Sequence, residues 1–244
     1  MRDLGQDKDD HAPATSRAAR NSRLSRRQVM TATAAAAAGV GIATVPATAD
    51  AATGAPAVSL GEPGTMTVEF RGRITQSGSS GQSFTGYGYL IRASGAKNSD
   101  LFDGTPPKES TALLTMYAAG DLKARVLDTS VHSLDIVGTL TVYQRSQPGA
   151  SFNDPASFKV GTPVARYDLT LQDVLAVYAA GMGLPTLTGD MRQTAARALS
   201  GPLAGQTFGL VGTRLRMFAT GLGTLTDPVT LNAQLEIAGN WSIE

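Results

Sequence analysis

The strongest constraint on the fold is a two-residue alternation of apolar and polar side chains that recurs along residues 65–244. Successive side chains of a β-strand point to opposite faces, so this alternation predicts strands with one face in a core. It is clearest in a strand predicted to begin at Pro228. The side chains predicted to face the interior there are Val229, Leu231, Ala233, Leu235, Ile237 and Trp241.

About eight or nine such segments follow one another, with Gly- and Pro-rich turns between them. This arrangement predicts an all-β, antiparallel barrel or sandwich in a single domain over residues 65–244. A barrel is favoured because glycines fall on the faces predicted to point inward, where they permit the strong coiling that closure requires. These glycines are Gly86, Gly88, Gly138, Gly189 and Gly239.

One stretch fits more than one structure. Residues 170–182 have apolar side chains at helical spacing, and Thr170 and Asp173 are spaced like a helix-capping box. The same stretch is rich in β-forming residues, and we favour a strand that ends in a bend at residues 181–183. Residues 111–117 and 122–127 are interpreted as the two strands of a hairpin that turns at residues 119–121.

Residues 1–51 have the pattern of a cleavable export signal, with a basic segment, a short Ala-rich apolar run and small residues at the predicted cleavage points Ala49 and Ala51. The run is too short and too weakly apolar to be a stable membrane anchor. Residues 52–64, rich in Pro, Gly and Ala, are predicted to be a flexible tether.

The segment SRRQVM at residues 25–30 resembles a twin-arginine export motif, with Arg26 and Arg27 as the arginine pair. It departs from the usual pattern at Val29, where Phe is commoner, and no Lys follows Met30; a general secretory leader is the alternative. The resemblance implies a bacterial protein, secreted to the periplasm or the exterior, with the twin-arginine translocase and signal peptidase as partners.

Charge and cysteine content exclude several classes of function. Residues 52–244 carry fourteen Lys or Arg and fifteen Asp or Glu, so no basic field is left to bind nucleic acid. The chain has no cysteine, which excludes disulfides, thiolate metal sites and a cysteine nucleophile.

No catalytic, cofactor-binding or metal-binding residue is predicted, and no cofactor is expected. On a strand, Asp128, Ser130 and His132 would occupy successive positions of one face, each about 6.8 Å from the next, which is too far for the hydrogen bonds of a catalytic triad. Residues 98–104 come nearest to a calcium loop, but their acidic residues do not have EF-hand spacing.

The Gly-rich strands, the polar loop after the second strand and the ending Ile237-Ala-Gly-Asn240 resemble the small barrels of allene oxide cyclases and dirigent proteins. The resemblance implies a closed barrel with an apolar lumen and assigns no catalytic residue. Glu69 and Asp190 are predicted to face outward, so no charged side chain is predicted in the lumen, and this absence favours binding over catalysis. The aromatic side chains suit either a lumen lining or ordinary packing; they are Tyr87, Tyr89, Tyr117, Tyr143, Tyr167, Tyr178 and Trp241.

The function predicted from these features is that of a secreted, cofactor-free barrel that binds a small apolar ligand in its lumen. The alternatives are a cofactor-free cyclase or isomerase of the same shape and a cell-surface structural module. A charged side chain facing the lumen would favour the enzyme, because general acid–base chemistry needs such a group at the ligand.

Overall fold

The chain forms a closed, eight-stranded antiparallel β-barrel, as the alternation predicts. The computed structural model describes residues 66–244; the predicted leader, its cleavage points and the tether lie outside the described residues. The strands are β1 (Met66–Ser77), β2 (Ser83–Ala93), β3 (Leu114–Leu127), β4 (Val131–Gln144), β5 (Thr162–Ala179), β6 (Met182–Ala196), β7 (Arg214–Asp227) and β8 (Asn232–Ile243).

Each strand pairs with the next along the chain, and β1 pairs with β8 to close the barrel. The closing pair places Ile74 opposite Leu235 and Phe70 opposite Gly239. The connections therefore alternate between the two ends of the barrel. Short turns at 78–82, 128–130, 180–181 and 228–231 form one end, and long loops at 94–113, 145–161 and 197–213 form the other.

Apolar side chains fill the barrel at the long-loop end. Trp241, Tyr167 and Phe70 are fully buried there, and the rings of Phe70 and Tyr167 lie 5.9 and 5.8 Å from that of Trp241. Close packing of this kind leaves little room for a ligand. We call this end the closed end and the opposite one the open end.

Opposed glycines mark places where the barrel wall bends sharply. Gly72 of β1 faces Gly88 of β2, and Gly120 of β3 faces Gly138 of β4, all on the inner face. A Cβ at Gly88 or Gly138 would overlap a carbonyl oxygen of the neighbouring strand. The predicted role of inward glycines in closure agrees with these close approaches.

The long loop 145–161 packs against the outer face of β2. Its Phe158 ring lies 5.4 Å from that of Tyr87, and its Phe152 ring lies 6.2 Å from that of Tyr89. Arg145 holds the loop by donating hydrogen bonds to the carbonyl oxygens of Gln147, Ser157 and Val160. Tyr87 and Tyr89 are thus buried although they point away from the lumen.

Three predictions of detail have clear outcomes. Residues 170–179 continue strand β5, as favoured. The predicted hairpin within 111–127 is wrong, because β3 runs through this region and absorbs the irregularity as a bulge between Leu122 and Ala124. The last strand begins at Asn232 rather than Pro228, since the turn needs Leu231 at a φ of 57° and leaves Val229 89% exposed.

No helix among residues 66–244 is long and apolar enough to cross a membrane.

Candidate functional site

The open end of the barrel contains a cavity of ≈ 140 Å³. Its wall is largely aliphatic, contributed by inward side chains of β3, β4, β5, β7 and β8. Leu127, Leu134, Leu175, Val177, Leu225 and Leu235 supply this surface.

Two facing glycines form part of this wall. Gly183 of β6 and Gly223 of β7 face each other across the two strands and both line the cavity. A Cβ at Gly223 would make only ordinary contacts, at 3.4 Å or more. A Cβ can therefore be added at Gly223 without overlap, whereas one at Gly183 would come within 2.7 Å of the Leu175 side chain and one at Gly88 would overlap the backbone of β1.

A second, smaller cavity of ≈ 60 Å³ lies deeper in the lumen. On β4 and β8 its wall is formed by the next inward residues, since Ile136 follows Leu134 and Ile237 follows Leu235. Strands β1 and β2 add Ile74, Phe84 and Gly86 to this wall. Trp241 and Tyr167 line neither of these two cavities. The lumen thus narrows from the open end to a packed floor.

One buried acid interrupts the aliphatic wall. Asp173 of β5 lines the larger cavity and has only 4% of its surface exposed. Within residues 66–244, its Oδ1 atom has no hydrogen-bond partner. Burial raises the pKa of Asp173 to about 7, and a hydrogen bond from the backbone amide of Thr186 lowers it by a smaller amount. This carboxyl group can therefore hold a proton near neutral pH.

Arg125, His132 and Gln76 complete the polar part of the cavity wall. Arg125 donates to the carbonyl oxygen of Ser80 at 3.0 Å, and Gln76 donates to that of Gly81 at 2.9 Å. Both hydrogen bonds tie an inward side chain to the turn between β1 and β2. The polar groups thus lie toward the rim of the cavity.

His132 is half-buried and faces the cavity. Among the hydrogen bonds of residues 66–244, none joins it to Asp128 or Ser130. The structure therefore brings no Ser–His–Asp triad together here. His132 instead lies on β4 diagonally from Asp173, because Leu134 is the residue directly opposite that acid.

The outward position predicted for Glu69 and Asp190 is confirmed, and both make surface ion pairs, Glu69 with Arg92 at 3.1 Å and Asp190 with Arg216 at 2.9 Å. The prediction that the lumen lacks charged side chains is nevertheless wrong. Asp173 has the spacing of a helix cap in the sequence, but on the favoured strand it lies on the same face as Leu171 and Leu175. Continuing the two-residue alternation through residues 170–179 would have identified it.

The aromatic candidates are divided between the two faces of the barrel. Tyr167 and Trp241 point inward but belong to the closed end, and burial raises the pKa of the Tyr167 hydroxyl far above its usual value. Tyr87 and Tyr89 pack under the 145–161 loop, and Tyr178 is exposed. None of these five lines the larger cavity.

Two further expectations concern other parts of the chain. The predicted export residues Arg26 and Arg27, with the cleavage points Ala49 and Ala51, lie outside the described residues. Within residues 66–244, no group of three or more His, Asp or Glu side chains is placed to hold a metal ion.

Comparison with known proteins returned no match, since no protein-family model, no curated protein and no solved structure is similar to this chain at a significant level. The resemblance to allene oxide cyclases and dirigent proteins stays a prediction.

Proposed function

We propose that this protein binds a small, mainly apolar molecule in the cavity at the open end of the barrel. The observation that supports this most directly is the aliphatic cavity of ≈ 140 Å³ above a packed floor. Apolar-lined cavities with a few polar groups are the usual form of small-molecule sites. A cavity of about 150 Å³ lined by aliphatic side chains can hold one benzene ring, so the part of the ligand inside the barrel has the size of a single ring.

The test uses methylcyclohexane as an apolar single-ring probe. In an NMR titration of the full chain, this probe should give saturable chemical-shift changes of the Leu175 and Leu235 methyl groups. Gly223→Val fills the cavity and should abolish these changes. Ala176→Val adds methyl groups at an exposed, outward position of β5 and should leave them intact.

Absence of saturable shifts for this probe in the unmodified protein would refute binding in the cavity. Equal binding by the Gly223→Val variant, with its fold confirmed by circular dichroism, would place the bound probe elsewhere.

Export through the twin-arginine pathway is a further part of the proposal, supported by the residues around Arg26 and Arg27. Replacing both arginines by lysine should block export, and the secreted protein should begin at Asp50 or Ala52 when its N-terminus is sequenced. Normal secretion of the Lys–Lys variant would exclude the twin-arginine pathway and would mean that the protein is exported by another route.

A second candidate is a cofactor-free isomerase or cyclase, which the inward Asp173 favours because a protonatable group lies at the cavity. Cyclohexanone in D₂O gives a test that needs no knowledge of the substrate. A general base at the cavity would speed exchange of its α-protons for deuterium, and Asp173→Asn would remove that acceleration. Exchange at the rate of protein-free buffer would leave binding as the function.

A further inference from the structure

Of the buried side-chain atoms without a hydrogen-bond partner in residues 66–244, only the Oδ1 atom of Asp173 belongs to the lining of the larger cavity. The Asp173 side chain is almost fully buried. Buried polar atoms of proteins nearly always have a hydrogen-bond partner, from the protein, from water or from a ligand. An unsatisfied polar atom that lines a ligand-sized cavity indicates that the ligand supplies a hydrogen-bonding group.

The neighbouring strands offer this carboxyl no side-chain partner. The residue opposite it on β4 is Leu134, and the one opposite on β6 is Leu187. Across the lumen, β8 contributes Leu235 to the same cavity. None of the described residues bonds this oxygen, so a molecule inside the cavity, water or ligand, would satisfy it.

We infer that Asp173 anchors a neutral, oxygen-bearing ligand, an alcohol or ketone on a single-ring apolar body, by a hydrogen bond to that oxygen. This inference rests on the proposed function and specifies its ligand class. The ring would contact the aliphatic wall while the oxygen meets the carboxyl group.

The charges around the cavity favour a neutral ligand over an amine. Arg125 on β3 and His132 on β4 are the charged or titratable side chains that face the same space, whereas the cavity-lining residues of β6, β7 and β8 are uncharged. A ligand cation would be repelled by Arg125. An amine would also require Asp173 to ionise in apolar surroundings, which its raised pKa of about 7 opposes.

The protonation state of Asp173 distinguishes ketone ligands from alcohol ligands. A protonated carboxyl can donate to the oxygen of a ketone or of an alcohol, whereas a carboxylate can only accept, and then only from the alcohol. Ketone binding should therefore weaken as the pH rises through about 7, while alcohol binding persists.

The experiment compares methylcyclohexane, cyclohexanol, cyclohexanone and cyclohexylamine, which share one ring size, by the same methyl-shift titration. At pH 5.5, Asp173→Leu should bind cyclohexanol and cyclohexanone, measured relative to methylcyclohexane, about three- to tenfold more weakly than the unmodified protein does, the range expected for one net hydrogen bond. Cyclohexylamine should bind most weakly.

Two variants isolate the carboxyl group. Asp173→Leu should still bind methylcyclohexane but lose the preference for oxygen. Asp173→Asn keeps a donor and an acceptor without titrating, so it should bind cyclohexanone equally at pH 5.5 and 8.5. His132→Gln should keep the pH dependence of the unmodified protein, because the titrating group is Asp173.

The two proposals fail in different ways. Binding of methylcyclohexane with no preference for oxygen, unchanged in Asp173→Leu, would overturn the anchoring role and leave the cavity function standing. A preference for cyclohexylamine would overturn the neutral-ligand assignment. Failure of all four probes to bind would refute the proposed function itself.

Discussion

Gly88 of β2 lies directly opposite Gly72 of β1, and the two backbones approach so closely that a Cβ on Gly88 would come within 2.7 Å of the Gly72 Cα atom. Gly86, two residues earlier on the same face, has ordinary space around it, with the nearest atom, the Ala118 Cβ, at 3.4 Å. The two glycines therefore have different roles in the same strand. Gly88 permits the close approach of β1 and β2 at which the wall bends, whereas the space beside Gly86 can hold a methyl group.

Alanine substitution should separate these roles. Gly88→Ala should lower the free energy of unfolding by about 1–3 kcal/mol or more, because the added methyl group forces β1 and β2 apart. Gly86→Ala should be neutral or stabilising by about 0.5–1 kcal/mol, since glycine in a strand costs conformational entropy. Urea denaturation of the two variants measures both effects, and equal destabilisation would contradict the close approach.

The inner face of β8 can be tested with two adjacent residues. Leu235 is buried and lines the larger cavity, while Gln234 points to the outer face. Leu235→Ala should cost about 2 kcal/mol, at the low end for buried leucines, because the adjacent cavity already deprives it of some contacts. Gln234→Ala should change the melting temperature little. Similar melting temperatures for both variants would show that the register of β8 is wrong.

The buried acid should make stability depend on pH. The pKa of Asp173 is raised from 3.8 to about 7 in the folded protein, so between these values the folded chain holds a proton that the unfolded chain has lost. Stability then decreases as the pH rises from about 4 to about 7 and is constant above that window. The total loss is on the order of 4 kcal/mol, at 1.36 kcal/mol per pKa unit.

Asp173→Asn isolates this effect from other carboxyl groups. The variant should be more stable than the unmodified protein at pH 8, and the difference between the two should shrink as the pH falls to 4. Denaturation curves at several pH values measure this difference. A difference that stays constant with pH would mean that the carboxyl group is ionised in the folded protein throughout.

The single tryptophan of the chain should report on the closed end. Trp241 is fully buried between Phe70 and Tyr167 and lines neither the larger nor the smaller cavity of the lumen. Its emission should be blue-shifted, resistant to acrylamide, and unchanged when methylcyclohexane or cyclohexanol saturates the cavity. Ligand-dependent quenching would place the binding site deeper than the open end.

The sequence predicts the barrel well where one face of a strand is buried and the other is wet. Ile237 and Trp241 point inward as the alternation requires. The prediction fails at the rim, where Val229 and Leu231 continue the pattern but lie in a turn whose geometry depends on the pairing of β7 with β8.

The site is less predictable because it depends on contacts between distant residues. The burial of Tyr87 comes from the loop around Phe158, some seventy residues later, which alternation within β2 cannot reveal. The inward orientation of the Asp173 side chain can be predicted once β5 is taken as a strand. Its lack of a partner cannot be predicted in this way, since that depends on leucines from both neighbouring strands.

The pairing of β1 with β8 also bears on how the chain acquires its structure during synthesis. Seven of the eight strand pairs join neighbours along the chain and can form as soon as each hairpin leaves the ribosome. The eighth joins residues 66–76 to residues 233–242, so it must wait for β8. Until then β1 and β7 each expose an unpaired edge, the kind of surface on which strands of other chains can assemble. A barrel that still lacks β8 is therefore prone to aggregation. Addition of β8 completes the fold and covers the exposed edges of β1 and β7.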